Sequence, residues 1–530
     1  MGCGVTNSST EKLESYICGQ WIRGDDVEAE LIDPVNGTLL ATASALGLDL
    51  DAALRFAREN GSNSLRSASF ADRAKLIGAV ADVLAANRGR YEAIAIENSG
   101  NTRSDAAIDI DGGIGTLKYY ARLGGSLANA QLLVDDKPAR LTKAENYAGL
   151  HVLVPRRGVA VHINAFNFPS WGLWEKAAVS LLSGVPFLAK PASATALLSY
   201  AMVRDVVSAN VLPIGTISLL CGGAGQLLDF LTADDVIAFT GSSATASRIR
   251  SHPNVLARGV AVNVEADSLN SALLGPDTEP GSPTFDAFVK EVVREMTVKA
   301  GQKCTAIRRV FVPAARADAV TNALVSQLGK VVVGDPRREG VGMGPVVTKT
   351  QQSAALDGIR QLAENAAIIC GGLAAPTLDG IDPSKSSFVA PTLLRAESGA
   401  AATVHELEVF GPVATITPYQ TEQDAFALVA RGGGSLVASV YSDDRSFLTR
   451  AVKELGATHG RLLVVERAIA NAHSGHGVVM PQCLHGGPGR AGNGKELGGL
   501  NGLEFYHQSV AIQGSTEFLA NLQAQGAALH

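Results

Sequence analysis

At 530 residues, 46% of them hydrophobic and 18% charged, the chain is too long for one small module and too apolar to stay disordered; at about 150 residues per domain it suggests roughly three domains. Lys plus Arg number 45 against 51 Asp plus Glu, a formal charge of −6, which excludes the basic footprint of a nucleic-acid binder. Its 56 glycines and 21 prolines follow no collagen or low-complexity period, the usual composition of an α/β enzyme with many tight turns.

The chain opens on Met1-Gly2-Cys3-Gly4-Val5-Thr6, which fits an acylation pattern but is short enough to arise by chance. Helical patterns follow over 48–60, 70–86 and 90–98 and are expected to pack around the domain after them. From 151 to 265, apolar β-rich runs at 158–164, 186–190, 216–221, 236–240 and 261–265 alternate with helical patterns at 171–182, 194–209, 225–231 and 245–252. Right-handed crossovers turn such a pattern into a doubly wound parallel sheet, whose ligands bind beyond the carboxyl ends of its strands. The most apolar stretch, 177–189, is broken by Ser180, Ser183, Gly184 and Pro186 and is too short to cross a membrane.

A second α/β pattern begins with a helix over 288–300 that stops at Gly301, followed by strands at 310–312, 367–370, 412–417, 436–441 and 462–465. A glycine-rich run at 485–500 precedes a late strand, 505–513, remote in sequence from both sheets. The six cysteines are scattered, with no C-x-x-C and no zinc spacing, so free thiols in a reducing, cytoplasmic compartment and no metal site are expected.

Few residues on the predicted rim carry chemistry. Cys304, in Gly301-Gln302-Lys303-Cys304-Thr305, stands in a short loop where a reacting carbon can approach a thiolate. Cys221 and Cys370 end apolar runs and read as core. Glu265 ends a buried strand, where partial desolvation raises a carboxyl toward the range of a general base; a capping or ion-paired role is the plainer alternative. Asn167, before Phe168-Pro169, carries an amide able to donate to an oxyanion, although a turn-forming Asn is commoner. Lys190-Pro191 and Phe239-Thr240-Gly241-Ser242 end two strands with groups suited to a ribose and its phosphates; neither is G-x-G-x-x-G.

Taken in order, Asn167-Phe168-Pro169, Lys190-Pro191, Phe239 to Ser242, Glu265, Gly301-Gln302-x-Cys304 and Glu408-Val409-Phe410-Gly411-Pro412-Val413 make the chain resemble the aldehyde dehydrogenase superfamily from about residue 19 to 513. That resemblance implies an α/β fold with a Rossmann-type cofactor domain and N-terminal helices (1–270), an α/β catalytic domain carrying Cys304 (271–490), and a β oligomerisation arm from 139–154 and 500–530, hence a homodimer or larger homo-oligomer. It implies Cys304 as nucleophile, Asn167 and the Cys304 backbone N–H as oxyanion donors, and Glu265 as the base that hydrolyses a thioester. Glu408 is implied at the nicotinamide ribose and Phe410 near the ring, with Ile163, Phe166, Lys190, Ser193, Gly225, Ser242 and Ala266 along the cofactor track.

Members that prefer NAD commonly carry a glutamate three residues after the motif lysine; here Ser193 stands there. A carboxylate beside a 2′-phosphate costs ~1 kcal/mol in water and up to ~4 at an effective dielectric of 20, so NADP is the expected cofactor, with NAD weaker. Glu265 implies a free acid as product rather than acyl transfer to coenzyme A. A closer likeness, carried by Val161 to Pro169, Glu265-Ala266-Asp267-Ser268-Leu269-Asn270, Gly301 to Arg309 and His485-Gly486-Gly487-Pro488-Gly489-Arg490, is to the branch of the family that oxidises CoA-thioester-linked semialdehydes in aerobic aromatic degradation. It implies 3,4-dehydroadipyl-CoA semialdehyde of benzoate degradation as substrate, with the ring-opened semialdehyde of phenylacetate degradation as the alternative. Arg156, Arg157, Arg308 and Arg309 read as ordinary arginines rather than a coenzyme A site. His476 and His485 read as turn histidines, with the substrate mouth as their other place. A binding protein that kept the fold, or a cysteine hydrolase, would leave Glu265 or the nucleotide rim unused.

Overall fold

The computed structural model describes residues 11–529; the acylation pattern at 1–6 lies outside them. The first lobe is built on a seven-stranded sheet in the order Ala261–Glu265, Val236–Thr240, Ala160–Ile163, Phe187–Lys190, Ile217–Leu219, Ser15–Ile17, Gln20–Ile22. The first five strands are the predicted ones and run parallel, whereas the last two come from the N-terminal segment and join antiparallel, an extension the sequence did not suggest. Successive strands spread outward from Ala160–Ile163 in one direction and then restart on its other side with Val236–Thr240, so the crevice beyond these two strands is the topological switch point where ligands bind.

Helix Trp171–Leu182 begins just past that crevice and buries Trp174 completely, while also burying the charged pair Glu175 and Lys176. Helix Arg103–Ser126 was not expected, because Gly112, Gly113, Gly115, Gly124 and Gly125 dilute its helical signal. Two of the glycines are there for packing: a Cβ on Gly112 would lie 2.1 Å from the Trp171 ring, and one on Gly124 2.4 Å from Leu182. The helix expected over 225–231 is only a short 3₁₀ turn, Leu227–Phe230, since Gly225 adopts a φ of 49° and leaves too few residues for a full turn to propagate.

The second lobe holds another seven-stranded sheet, ordered Ala367–Cys370, Thr392–Arg395, Val413–Tyr419, Arg309–Pro313, Ser271–Leu274, Ser435–Tyr441, His459–Val465. Ser271–Leu274 and Thr392–Arg395 are additions to the predicted set. Cys370 is half-buried at the border of the second lobe's apolar core rather than inside it: Ala367–Cys370 is an antiparallel edge strand whose first three residues are exposed. Cys221 is fully buried. The late strand, His507–Ser515, pairs antiparallel with Tyr147–Pro155 over nine residues, and helix Thr516–Gln525 lays Leu519 on Val134, Leu150 and Val152 of this third sheet. Among the described residues no helix is long and apolar enough to cross a membrane.

Candidate active site

Helix Pro283–Thr297, started by Ser282 as N-cap and Pro283, ends in a tight reversal. Lys299, Ala300 and Gly301 are all left-handed, at φ 54°, 50° and 67°. A Cβ on Gly301 would lie 2.2 Å from the Gly411 carbonyl oxygen, so only glycine fits. Arg308 then staples the loop, donating to the carbonyls of Gly411 (2.8 Å), Gly301 (2.9 Å) and Lys303 (3.2 Å). Asn270 Nδ2 donates to the Cys304 carbonyl at 2.7 Å, and buried Lys303 bridges both oxygens of Glu295 at 2.6 and 2.7 Å. Cys304 is thereby held half-buried on a rigid turn.

Two cavities meet at Cys304. The inner one is lined by Phe168, Trp171, Glu175, Lys176, Thr305, Val479 and His485; the outer, of about 570 Å³, by Ile163, Phe166, Phe239, Gly241, Ser242, Ala266, Glu408 and Phe410. Asn164, Asn167, Thr240, Glu265 and Cys304 line both. The nucleophile, amide and carboxylate singled out in the sequence therefore converge at one junction.

Glu265, 2% exposed, lies within 4.8 Å of the Cys304 sulfur and of a His485 ring nitrogen, and its Oε2 is 3.1 Å from His485 Nε2. Thr240 Oγ1 donates to Oε2 at 3.4 Å. Burial alone would push the Glu265 carboxyl up, but His485, Lys176 and the Cys304 thiol outweigh it and hold it below the ordinary range. The Cys304 thiol is pushed well up by burial and by the Glu265 charge beside it, so the resting group is a thiol. Behind them Lys176 Nζ lies 3.4 Å from Glu175 and 3.1 Å from Glu496, and carboxylate oxygens of Glu175, Glu265 and Glu496 lie within 4.8 Å of one another.

The outer cavity has features that fit a dinucleotide. Ser242 caps helix Ser243–Arg250 at the end of Val236–Thr240. The Phe166 and Phe410 rings meet edge to face at 5.6 Å. Glu408 accepts the Ser268 N–H at 3.0 Å through one oxygen, while its other oxygen, buried 3.7 Å from Arg308 Nε, has no hydrogen-bond partner and leaves an acceptor for a ribose hydroxyl. Burial pushes its carboxyl up to about 7 against the pull of Arg308. Lys190, Ser193 and Gly225 do not line this cavity; they stand past the ends of the next two strands, with Ser193 Oγ donating to the Gly222 carbonyl at 3.4 Å.

The aldehyde dehydrogenase family model matches residues 21–512. The chain belongs to the aldehyde dehydrogenase family. Family members are oxidoreductases acting on aldehydes. One curated relative, the 3,4-dehydroadipyl-CoA semialdehyde dehydrogenase of Aromatoleum evansii, is 51% identical over 480 residues, covering 90% of this chain and 93% of its own. Another, the 3-succinoylsemialdehyde-pyridine dehydrogenase of a Pseudomonas species, is 28% identical over 94% of this chain and 98% of its own. Among solved structures, the betaine aldehyde dehydrogenase of Staphylococcus aureus in complex with NAD+ superposes with a TM-score of 0.82 at 24% identity, covering 95% of each chain.

Several residues of this family site escaped the sequence. Glu175 and Lys176 were hidden inside an apolar helix, where two adjacent charges on a buried face are themselves a signal. Glu496 sits in a glycine-rich run. Glu28, in the N-terminal segment, accepts the N–H groups of Ala45 (2.6 Å) and Gly223 (3.0 Å) near Lys190. The arginines resolve as structural where they are buried: Arg308 and Arg309 give most of their donors to backbone carbonyls, Arg309 also reaching His405 and Ser271, while Arg308 Nε faces Glu408 at 3.7 Å. His476, buried with Nδ1 2.9 Å from Ser439 Oγ, is structural too, whereas His485 lies in strand Leu484–Gly486 rather than a turn, with Glu265 as its partner.

Proposed function

We propose that the protein oxidises a CoA-thioester-linked semialdehyde, 3,4-dehydroadipyl-CoA semialdehyde, to its carboxylic acid with NADP as preferred acceptor, in the cytoplasm and as a homodimer or larger assembly. The observation that carries the substrate is the likeness to the Aromatoleum evansii enzyme over almost the whole length of both chains. The assembly is supported by strand His507–Ser515, which pairs on one side and leaves a mostly exposed outer edge.

Glu265 takes the proton of the Cys304 thiol, and Sγ attacks the aldehyde carbon. The carbonyl oxygen becomes an oxyanion, for which the Asn167 amide and the Cys304 backbone N–H are the donors in reach. Glu408, Phe410, Phe166 and Ser242 would hold a nicotinamide cofactor, which would supply the hydride acceptor beside Cys304. Cys304 is left as a thioester; Glu265, having passed its first proton to solvent, takes a proton from water, the water oxygen bonds to the acyl carbon, the C–S bond breaks, and its electron pair returns to sulfur. Placing Cys304 where two cavities join supports this division, with the acyl group on one side and the acceptor on the other.

Steady-state rates with CoA-linked and CoA-free semialdehydes, each with NADP and NAD, test the reading. The CoA-linked substrate with NADP is expected to have the highest kcat/KM, and Cys304→Ala to abolish oxidation while the protein stays folded by circular dichroism. For the cofactor, Ser193→Glu is expected to cut kcat/KM for NADP at least ~10-fold, a carboxylate beside a 2′-phosphate costing more than about 1.4 kcal/mol at this half-buried rim, and to leave NAD little changed. A wild type that favours NAD tenfold would refute the cofactor assignment.

A further inference from the structure

The reading above gives His485 no part, yet it is the ionisable partner in direct contact with the proposed base. It is 5% exposed, on a strand from the glycine-rich return segment, with Nε2 3.1 Å from Glu265 Oε2. That contact and Thr240 Oγ1 occupy Oε2, while Oε1 is buried without a hydrogen-bond partner. A carboxylate fixed through one oxygen presents the other in a single orientation, which a base acting on one water requires.

We propose that His485 is the positioning residue of the deacylation step: donating Nε2–H to Glu265 Oε2, it aims Oε1 at the water that attacks the Cys304 thioester, and its charge sets how readily Glu265 takes that water's proton. The inference rests on the Cys304 thioester of the proposed function. The step balances within the site: the water oxygen bonds to the acyl carbon, the C–S pair goes to Sγ, and the water proton goes to Glu265 Oε1.

Both protonation states of His485 donate to Glu265, but they act differently. An imidazolium lowers the proton affinity of the carboxylate beside it, whereas the neutral ring restores it. The groups facing His485 are Glu265 from the sheet, Glu175 and Lys176 from helix Trp171–Leu182, Glu496 from the paired strand Lys495–Leu497, and Cys304 from its loop. Burial would discharge the ring, but Glu265, Glu175 and Glu496 together hold its pKa above the ordinary imidazole value. Deacylation should therefore speed up with rising pH as His485 loses its charge, at a pH above that of a free imidazole.

The test compares the wild type with His485→Gln, which keeps a neutral N–H donor, and His485→Leu, which keeps none. Each is mixed with NADP and hexanal, a six-carbon aldehyde, quenched at intervals, and the acyl adduct on Cys304 followed by intact-protein and peptide mass spectrometry from pH 6 to 9. Both variants are expected to form the adduct. Its decay at pH 8 should slow about 100-fold in His485→Leu, within the range general-base catalysis supplies, and less than ~5-fold in His485→Gln, with the pH-dependent rise present in wild type and absent in His485→Gln. Wild-type decay rates in His485→Leu, an equal slowing in both variants, or a pH rise retained in His485→Gln would each overturn the assignment. If His485→Leu does not fold, the pH profile of His485→Gln decides. Absence of any Cys304 adduct in the wild type, with hexanal and with a CoA-linked semialdehyde alike, would overturn the thioester reading and this one with it, an outcome distinct from an adduct that forms and decays normally.

Discussion

A carboxylate beside a thiol opposes the thiol's ionisation while the neutral thiol favours the carboxylate's, and Glu265 and Cys304 are such a pair. The Glu265 charge is the second cause, after burial, that keeps Cys304 protonated. Replacing it by Glu265→Gln should therefore lower the thiol pKa: the pH profile of iodoacetamide alkylation at Cys304 is expected to move toward lower pH in the variant, even as turnover falls at least ~100-fold for want of a base. An unchanged or upward-shifted alkylation profile would show that the carboxylate does not act on the sulfur. Cys304, Glu265 and Asn167 were legible because each ends a strand or loop in a recognisable motif. His485, Lys176 and Glu496 were not, because their meaning lies in one another: each becomes informative only when the fold brings it beside Glu265.

Among the elements, the predictable ones were those whose apolar period and stop signals agree. Strands Val236–Thr240 and Ala261–Glu265 and helices Phe70–Ala86 and Trp171–Leu182 fall where the sequence puts them. Those that escaped depend on distant partners: Arg103–Ser126 spends Gly112 on contact with Trp171 and Gly124 on contact with Leu182, and the hairpin of Ser15–Ile17 and Gln20–Ile22 joins the sheet through Ile217–Leu219. The turn that presents Cys304 is the element whose geometry is most exacting. Gly301→Ala imposes a left-handed non-glycine residue, costing about 1 kcal/mol, and drives a Cβ onto the Gly411 carbonyl oxygen, so the loop must move. Expected are a midpoint of urea unfolding displaced to lower concentration and a fall in kcat of at least ~100-fold, because an ångström of displacement at a nucleophile costs about that much. By contrast Gly433→Ala, at a φ of 69° but with nothing near its Cβ position, should cost only the backbone term and leave kcat intact.

At the scale of the molecule, the two lobes must hold a fixed relation for the sulfur of one to face the rim of the other, and a buried ion pair spans that join. Asp109, on helix Arg103–Ser126 of the first lobe, accepts the backbone N–H groups of Trp171 (2.7 Å) and Ser170 (3.4 Å). Its carboxylate lies 3.9 Å from Nζ of Lys299, the second-lobe residue that opens the Cys304 turn, whose ammonium also sits 4.7 Å over the Phe168 ring. One carboxylate thus ties the helix after Asn167 to the turn before Cys304. Both side chains are at most 3% exposed, and buried Asp105 also faces Lys299, so removing the ammonium strands two carboxylates in a medium that cannot solvate them, whereas removing Asp109 with it leaves one. Lys299→Met is expected to destabilise the protein by about 3–5 kcal/mol in urea unfolding and to lower kcat, and Lys299→Met with Asp109→Leu to recover part of that stability. Activity should not return with it, since the double variant restores part of the energy of the join but not the hydrogen bonds that orient Ser170 and Trp171. Recovery of stability and kcat together would mean that the pair only fills space, and that the alignment of the two lobes is set elsewhere.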